Sequence, residues 1–309
     1  MKIIYMGTPE FAVPILESIY NAGYDISLVI TQKDKPKGRG KKVQYTPVKV
    51  KALELGLEVY QPEIINDNES INIIRKINPD IIVVAAYGQL LKRELLNIPK
   101  YGCINVHASL LPKFRGAAPI NWAIINGESI TGITIMKMEE GLDTGDMIMK
   151  CEVEIIDDDD YLSMHNKLAN IGSRLIVKTM EDILNNNVSY TPQDSTNSTY
   201  APMIYKNTGK IDWSKSGKDI YNLVRGLKPW PIAHTDYNGE NIKIHNVEYL
   251  IKQNDELNGL ICKVDKEGIY VSVNDGYIII KELQFPGKKV LTVKQYLAGN
   301  RINEGVILK

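Results

Sequence analysis

The 309 residues are 44% hydrophobic and 24% charged, which excludes extended disorder, and their number suits two domains. Formal net charge is zero, so any binding of a polyanion must rest on local rather than overall charge. Cys103, Cys151 and Cys262 are odd in number and far apart, forming neither a CxxC nor a Cys/His zinc pattern.

Along the chain, residues 2–6, 25–31 and 80–85 are short, apolar and β-branched, the pattern of strands covered on both faces. Helices are predicted over residues 10–20 and 68–77, and from Thr46, where Thr caps and Pro47 takes the first helical position. This alternation predicts an α/β fold with a doubly wound, mostly parallel, Rossmann-like sheet that binds ligands at the carboxyl ends of its strands. GTPEF after Met6 holds one glycine where the dinucleotide fingerprint has three, which argues against a nicotinamide cofactor. The start MKIIYMGTPEF lacks a signal-peptide pattern, and the longest apolar stretch, residues 81–86, is too short to cross a bilayer. A cytoplasmic protein with no membrane partner and a monomeric state is expected.

Between residues 31 and 51, eight basic side chains face a single acid, Asp34. Such a run is either solvated surface or a phosphate-binding patch. An amphipathic stretch over residues 161–184 should close the first domain, assigned to residues 1–190. The polar, proline-bearing TPQDSTNSTYAPMI suggests a linker over residues 191–205. From residue 206 to 309, short alternating segments separated by Gly, Asn and Asp predict a smaller β-barrel of OB-like type, either nucleic-acid-binding or purely structural. KPWP, residues 228–231, and Trp122 and Trp213 read as packing groups, and the acidic run 157–160 as an exposed loop leading into a helix.

The segment GCINVHASLLPKFRGAAPINWAIING carries the chemistry. Asn105 and His107 stand two apart in a strand-like run, so their side chains face the same side, about 7 Å apart along the strand. Downstream, TGITIMKMEEGLDTGDMI reads as a strand entering a turn that exposes Asp143, within reach to orient His107. Asn, His and Asp without a Ser or Cys nucleophile suit acyl transfer to a nucleophile that the substrate itself brings, such as an amine. Each residue taken alone is also a common strand-end or turn former.

HASLLPKFRGAAPINWAI followed by TGITIMKMEEGLDTGDMI resembles the folate-dependent formyltransferases, and the resemblance extends over essentially the whole chain. It implies 10-formyltetrahydrofolate as formyl donor, no metal, catalysis by Asn105, His107 and Asp143, and a folate site lined by Ser109, Leu110, Leu111 and Pro112. The start MGTPEFAVPIL, the insert KDKPKGRGKKVQYTPVK and the segments KIDWSKS and VRGLKPWPIAHT resemble the branch that formylates methionyl-initiator tRNA. That branch implies Arg39, Lys41 and Lys42 as tRNA contacts. A sugar-nucleotide amine as acceptor, or a noncatalytic RNA-binding module on an old enzyme fold, are the alternatives.

Overall fold

The computed structural model describes residues 1–37 and 42–309. They divide into two compact units, one of residues 1–119, 130–154 and 165–201, the other of residues 120–129, 155–164 and 202–309.

The strands of the first unit are β1 (Lys2–Gly7), β2 (Asp25–Ile30), β3 (Lys35–Lys37), β4 (Lys42–Gln44), β5 (Val59–Tyr60), β6 (Ile81–Ala85), β7 (Cys103–His107), β8 (Arg115–Gly116), β9 (Ile130–Lys137), β10 (Met147–Glu154) and β11 (Tyr200–Ala201). Seven build one sheet in the order β10-β9-β7-β6-β1-β2-β5. The pairings from β7 through β6, β1 and β2 to β5 are parallel, whereas β9 lies antiparallel to β7 and β10 antiparallel to β9. The expected mostly parallel sheet is therefore present, with an antiparallel margin at one side. Five of the six residues of β1 and all five of β6 are buried, which explains their continuous Ile and Val runs: both faces of these strands are covered. Ile4, Met6, Leu28, Ile30, Ile82 and Val84 contribute alternate positions of three neighbouring strands to one core cluster, where Ile74 also packs.

Helices α1 (Val13–Asn21), α2 (Pro47–Glu54) and α3 (Asn68–Ile77) match the predicted positions, and a 3-10 turn over Glu10–Ala12 precedes α1. The Thr46 hydroxyl accepts from the Lys49 amide at 3.1 Å, capping α2 as expected, and lies 2.8 Å from the buried Thr31 hydroxyl. Asp67 caps α3 by accepting from the Ser70 amide at 2.7 Å, and α3 ends at Asn78 in the left-handed region. Two short helices, α4 (Arg93–Leu96) and α5 (Pro119–Ile125), and the long α6 (Tyr161–Leu184) follow. Among the described residues no helix is long and apolar enough to cross a membrane.

The basic segment forms a hairpin stem in which β3 and β4 pair antiparallel, Lys35 opposite Gln44 and Lys37 opposite Lys42. Arg39 and Lys41 lie outside the described residues. Among the described residues, Lys33 is ion-paired with Glu63, Lys49 with Asp34, and Lys51 with Glu17 and Glu54.

In the second unit, α7 (Gly217–Gly226) precedes β12 (Ala233–Tyr237), β13 (Glu240–Ile251), β14 (Ile261–Asp265), β15 (Gly268–Val273), β16 (Gly276–Gln284), β17 (Leu291–Thr292) and α8 (Val293–Leu297). The strands form an antiparallel sheet in the order β12-β13-β16-β15-β14, with β17 added to β16. Trp213 is buried in this unit's core and donates to the Thr235 hydroxyl at 2.9 Å. Trp230, expected to pack, is instead 54% exposed. The acidic run is also less exposed than expected. Asp159 is buried and accepts from the Ile156 amide at 3.0 Å, and the Arg225 guanidinium donates to the carbonyls of Ile156 and Asp159, each at 2.9 Å.

Replacing Thr46 with Ala removes the α2 cap and strands the Thr31 hydroxyl in the interior. A loss of about 2 kcal/mol or more is expected, and Thr46→Ser, which keeps both hydrogen bonds, should recover most of it. Denaturant unfolding of the two variants measures the difference, and equal midpoints for Ala and wild type would remove the cap from the account.

Candidate active site

The order reversal of the sheet lies between β1 and β6, the position where open α/β sheets bind ligands outside the carboxyl ends of the strands. Asn105 and His107 end the adjoining β7 and, standing two apart, present their side chains on one face. The antiparallel β9 pairs along β7, with Asn105 opposite Met136 and His107 opposite Thr134. Its carboxyl end therefore lies beside the amino end of β7, where the Met138 amide donates to the Cys103 carbonyl at 2.8 Å, and the loop of residues 139–146 folds back to bring Asp143 to Asn105 and His107.

Asp143 Oδ1 lies 3.5 Å from Asn105 Nδ2, and Oδ2 lies 3.7 Å from His107 Nδ1. The three residues singled out in the sequence are thus brought together, with the His107 and Asp143 side chains only 6% and 14% exposed. Both separations are at or beyond the limit of a hydrogen bond, so the amide and imidazole are near Asp143 without being saturated by it. The firm contacts are to the backbone. His107 Nε2 is 3.0 Å from the Phe114 carbonyl, and Asp143 Oδ2 accepts from the Gly116 amide at 2.9 Å. A carbonyl only accepts, so the proton of the neutral imidazole sits on Nε2 and leaves Nδ1 facing the carboxylate.

Two glycines let these backbone segments approach. Gly116 has φ of 118°, and a side-chain carbon there would meet the Ala201 carbonyl at 2.7 Å. At Gly145 it would meet the Lys137 carbonyl at 1.9 Å, so the turn carrying Asp143 can close on the end of β9 only with glycine at this position.

The segment 109–112 divides into two kinds of residue. Ser109 is fully buried, and its hydroxyl donates to the Lys113 carbonyl at 2.6 Å; Leu111 is also fully buried, packed with Met136 and Met147. The Thr134 hydroxyl ties the segment to β9, donating to the Ser109 carbonyl at 2.7 Å and accepting from the Leu111 amide at 3.1 Å. Leu110 and Pro112 are half-buried and are the two members with side-chain surface still open. Lys42 opens β4, opposite Lys37 in the hairpin stem. Among the described residues there is no group of three or more His, Cys, Asp or Glu side chains arranged to hold a metal.

Sequence reading missed two residues beside this site. Arg115 is 3% exposed and donates through Nε and Nη2 to Gln193 Oε1 at 3.0 and 2.8 Å. Gln193 in turn donates to the carbonyls of Asp143 and Gly145, both at 2.8 Å. Gln193 lies in the stretch read as a linker, whose residues 191–201 belong to the first compact unit. They run beside the site, with Tyr200 and Ala201 pairing parallel to Arg115 and Gly116, and Thr191 bridging Met147. Nothing in a polar, proline-bearing string distinguishes such a brace from a tether.

Two backbone-anchored side chains with acid–base chemistry and an amide are thus grouped at the end of β7. Residues 1–180 match the family described as formyl transferase, and residues 203–301 match the formyl transferase C-terminal domain. The chain belongs to the formyl transferase family. Among its relatives, the methionyl-tRNA formyltransferase of Clostridium acetobutylicum is 51% identical over 310 residues, covering the whole of both chains. That of Acetivibrio thermocellus is 48% identical over 309 residues, covering 100% of this chain and 99% of the relative. The fold is similar to that of a sugar 3N-formyl transferase crystallised in the presence of dTDP and 5-N-formyl-THF, with a TM-score of 0.67 at 22% identity over 94% of this chain and 99% of that one.

Nitrogen-15 NMR of the His107 ring is expected to show the Nε2-protonated tautomer in the neutral state. Observation of the Nδ1-protonated form would break the assignment to the Phe114 carbonyl.

Proposed function

We propose that this chain transfers the formyl group of 10-formyltetrahydrofolate to the free amino group of methionyl-initiator tRNA, yielding the N-formylmethionyl form used to start translation. The observation that carries this reading is the convergence of Asn105, His107 and Asp143 in a chain about half identical, over its full length, to methionyl-tRNA formyltransferases.

The donor supplies a formyl group on a nitrogen that can leave, and the residues present suit it. Transfer requires hydrogen-bond donors for an oxygen gaining negative charge and a route for the proton released by the attacking amine. The Asn105 amide provides a neutral donor. His107, its Nε2 proton engaged by the Phe114 carbonyl, reaches the reaction only through Nδ1 and so donates there as the imidazolium. Asp143 stabilises that cation from 3.7 Å and carries the proton from the amine toward the leaving nitrogen, directly or through water. The hydroxyls of Ser109 and Thr134 are engaged in backbone hydrogen bonds, consistent with attack by the substrate's own amine.

Leu110 and Pro112 offer apolar surface to the folate, with Ser109 and Leu111 holding the loop beneath them. Arg39, Lys41 and Lys42 of the basic insert contact phosphates of the acceptor stem, where a local charge excess acts despite a net charge of zero. Residues 1–190 form the catalytic domain, and residues 206–309 a second, tRNA-binding domain joined through residues 191–205. The protein acts in the cytoplasm as a monomer.

Asn105→Ala should fold normally and turn over about a hundred- to a thousandfold more slowly. A variant within a fewfold of wild type would remove Asn105 from the chemistry. Replacing Arg39 with Glu should raise the KM for charged tRNA and flatten its salt dependence while folate binding persists; parallel loss of both functions would indicate damage to the fold instead. The acceptor itself is tested by formylation of methionine-charged initiator tRNA beside charged elongator tRNA and a sugar-nucleotide amine. Transfer confined to the small amine would keep the catalytic centre and overturn the tRNA assignment.

A further inference from the structure

We propose that Gln193, oriented by the buried Arg115, is a positioning residue that sets where the Asp143 carboxylate stands. This inference rests on the reading of Asp143 as a member of the catalytic group.

Asp143 sits on a turn with φ of 52°, a left-handed conformation that a non-glycine residue holds only when its surroundings impose it. The turn is clamped from one side by a single amide. Gln193 Nε2 places its two protons on the carbonyls of Asp143 and Gly145, both at 2.8 Å, and so fixes the backbone on either side of Thr144. The amide has only one orientation open to it, because the Arg115 guanidinium occupies Gln193 Oε1 with two donors, at 3.0 and 2.8 Å. Arg115 is itself fixed: it is 3% exposed, its own amide donates to the Thr199 carbonyl at 2.9 Å, and it lies opposite Tyr200 in the β8–β11 pair. The next residue, Gly116, gives its amide to Asp143 Oδ2 at 2.9 Å.

The carboxylate is therefore held at both ends by one stretch of chain, residues 191–201. Its backbone end is gripped by Gln193 and its oxygen end by Gly116, whose neighbour Ala117 donates to the Ala201 carbonyl at 2.9 Å. Thr191 and Met147 exchange two backbone hydrogen bonds, each 2.9 Å, and keep Gln193 level with the turn. Gln193 is not in contact with Asn105 or His107 in any hydrogen bond of the described residues, so its influence on them passes through Asp143.

Gln193→Glu gives the cleanest perturbation. The new carboxylate keeps the contact with Arg115, and strengthens it by charge, but turns an acceptor toward two carbonyls that need a donor. The turn should shift while the fold persists. Since a displacement of about 1 Å in a catalytic group costs about a hundredfold, kcat with charged initiator tRNA and 10-formyltetrahydrofolate should fall ten- to a hundredfold, with both KM values within about threefold of wild type. The same substitution is then made in an Asp143→Asn background. A residue acting through Asp143 has nothing left to position there, so the further loss should be less than about twofold.

Retention of near-wild-type kcat by Gln193→Glu, or an equal loss in both backgrounds, would overturn the proposal while leaving the catalytic reading of Asp143 intact. Near-full activity of Asp143→Asn alone would instead overturn that reading, and the proposal with it. Should Gln193→Glu fail to fold, the paired change Arg115→Met with Gln193→Met replaces both partners by apolar groups of similar length. It is expected to show the same fall in kcat, and unchanged kcat in that variant would equally defeat the assignment.

Discussion

The antiparallel pairing of β9 with β7 is the constraint on which the site depends. Because β9 runs against β7, its carboxyl end lies beside the amino end of β7, with the Met138 amide on the Cys103 carbonyl, and the loop that follows must fold back to carry Asp143 to Asn105 and His107. That fold-back is held by the Lys137 amide, which donates to the Asp146 carbonyl at 2.8 Å, and by the Gly116 amide, which donates to Asp143 Oδ2 at 2.9 Å. Asn105 and His107 lie opposite Met136 and Thr134 in that ladder, so the register also decides which loop residue reaches them. A slip of one residue would turn both side chains of β7 to the other face of the sheet. Thr134, fully buried, serves the same end by fastening the Ser109–Leu111 segment to β9 with two hydrogen bonds.

Around that ladder the site is built mainly from backbone groups. The Phe114 carbonyl fixes the imidazole, the Gly116 amide fixes one oxygen of Asp143, and the carbonyls of Asp143 and Gly145 receive the Gln193 amide. Main-chain groups move less than long side chains, so the acid–base groups are preorganised although their mutual separations are loose. That arrangement suits a centre in which hydrogen bonds must be available to a reacting oxygen rather than consumed in the resting protein. The tight approaches at Gly116 and Gly145 are the steric condition for it.

The basic hairpin illustrates a different balance. Lys33, Lys49 and Lys51 are held by nearby carboxylates, and the exposed pair of Lys33 with Glu63 contributes little to stability. Their effect is to offset part of the positive charge of this segment.

Much of this protein was determined by local sequence. The Ile and Val runs of β1 and β6 specified buried strands because only such residues tolerate cover on both faces, and Thr46 and Pro47 marked the start of α2 because a cap and a fixed φ act within one turn. The spacing of Asn105 and His107 put both on one face of β7 by the two-residue period of a strand, and the long motif around them matched a family. What the tertiary structure alone decided were contacts between residues far apart in the chain. These include the return of Asp143 to β7, the tautomer of His107 set by Phe114, the burial of Ser109 and Leu111 rather than their exposure, and the exposure of Trp230. Residues 191–201, polar and without periodicity, looked like a tether because a segment that makes its hydrogen bonds to distant backbone leaves no local pattern, and only the folded chain shows Gln193 holding the turn of Asp143.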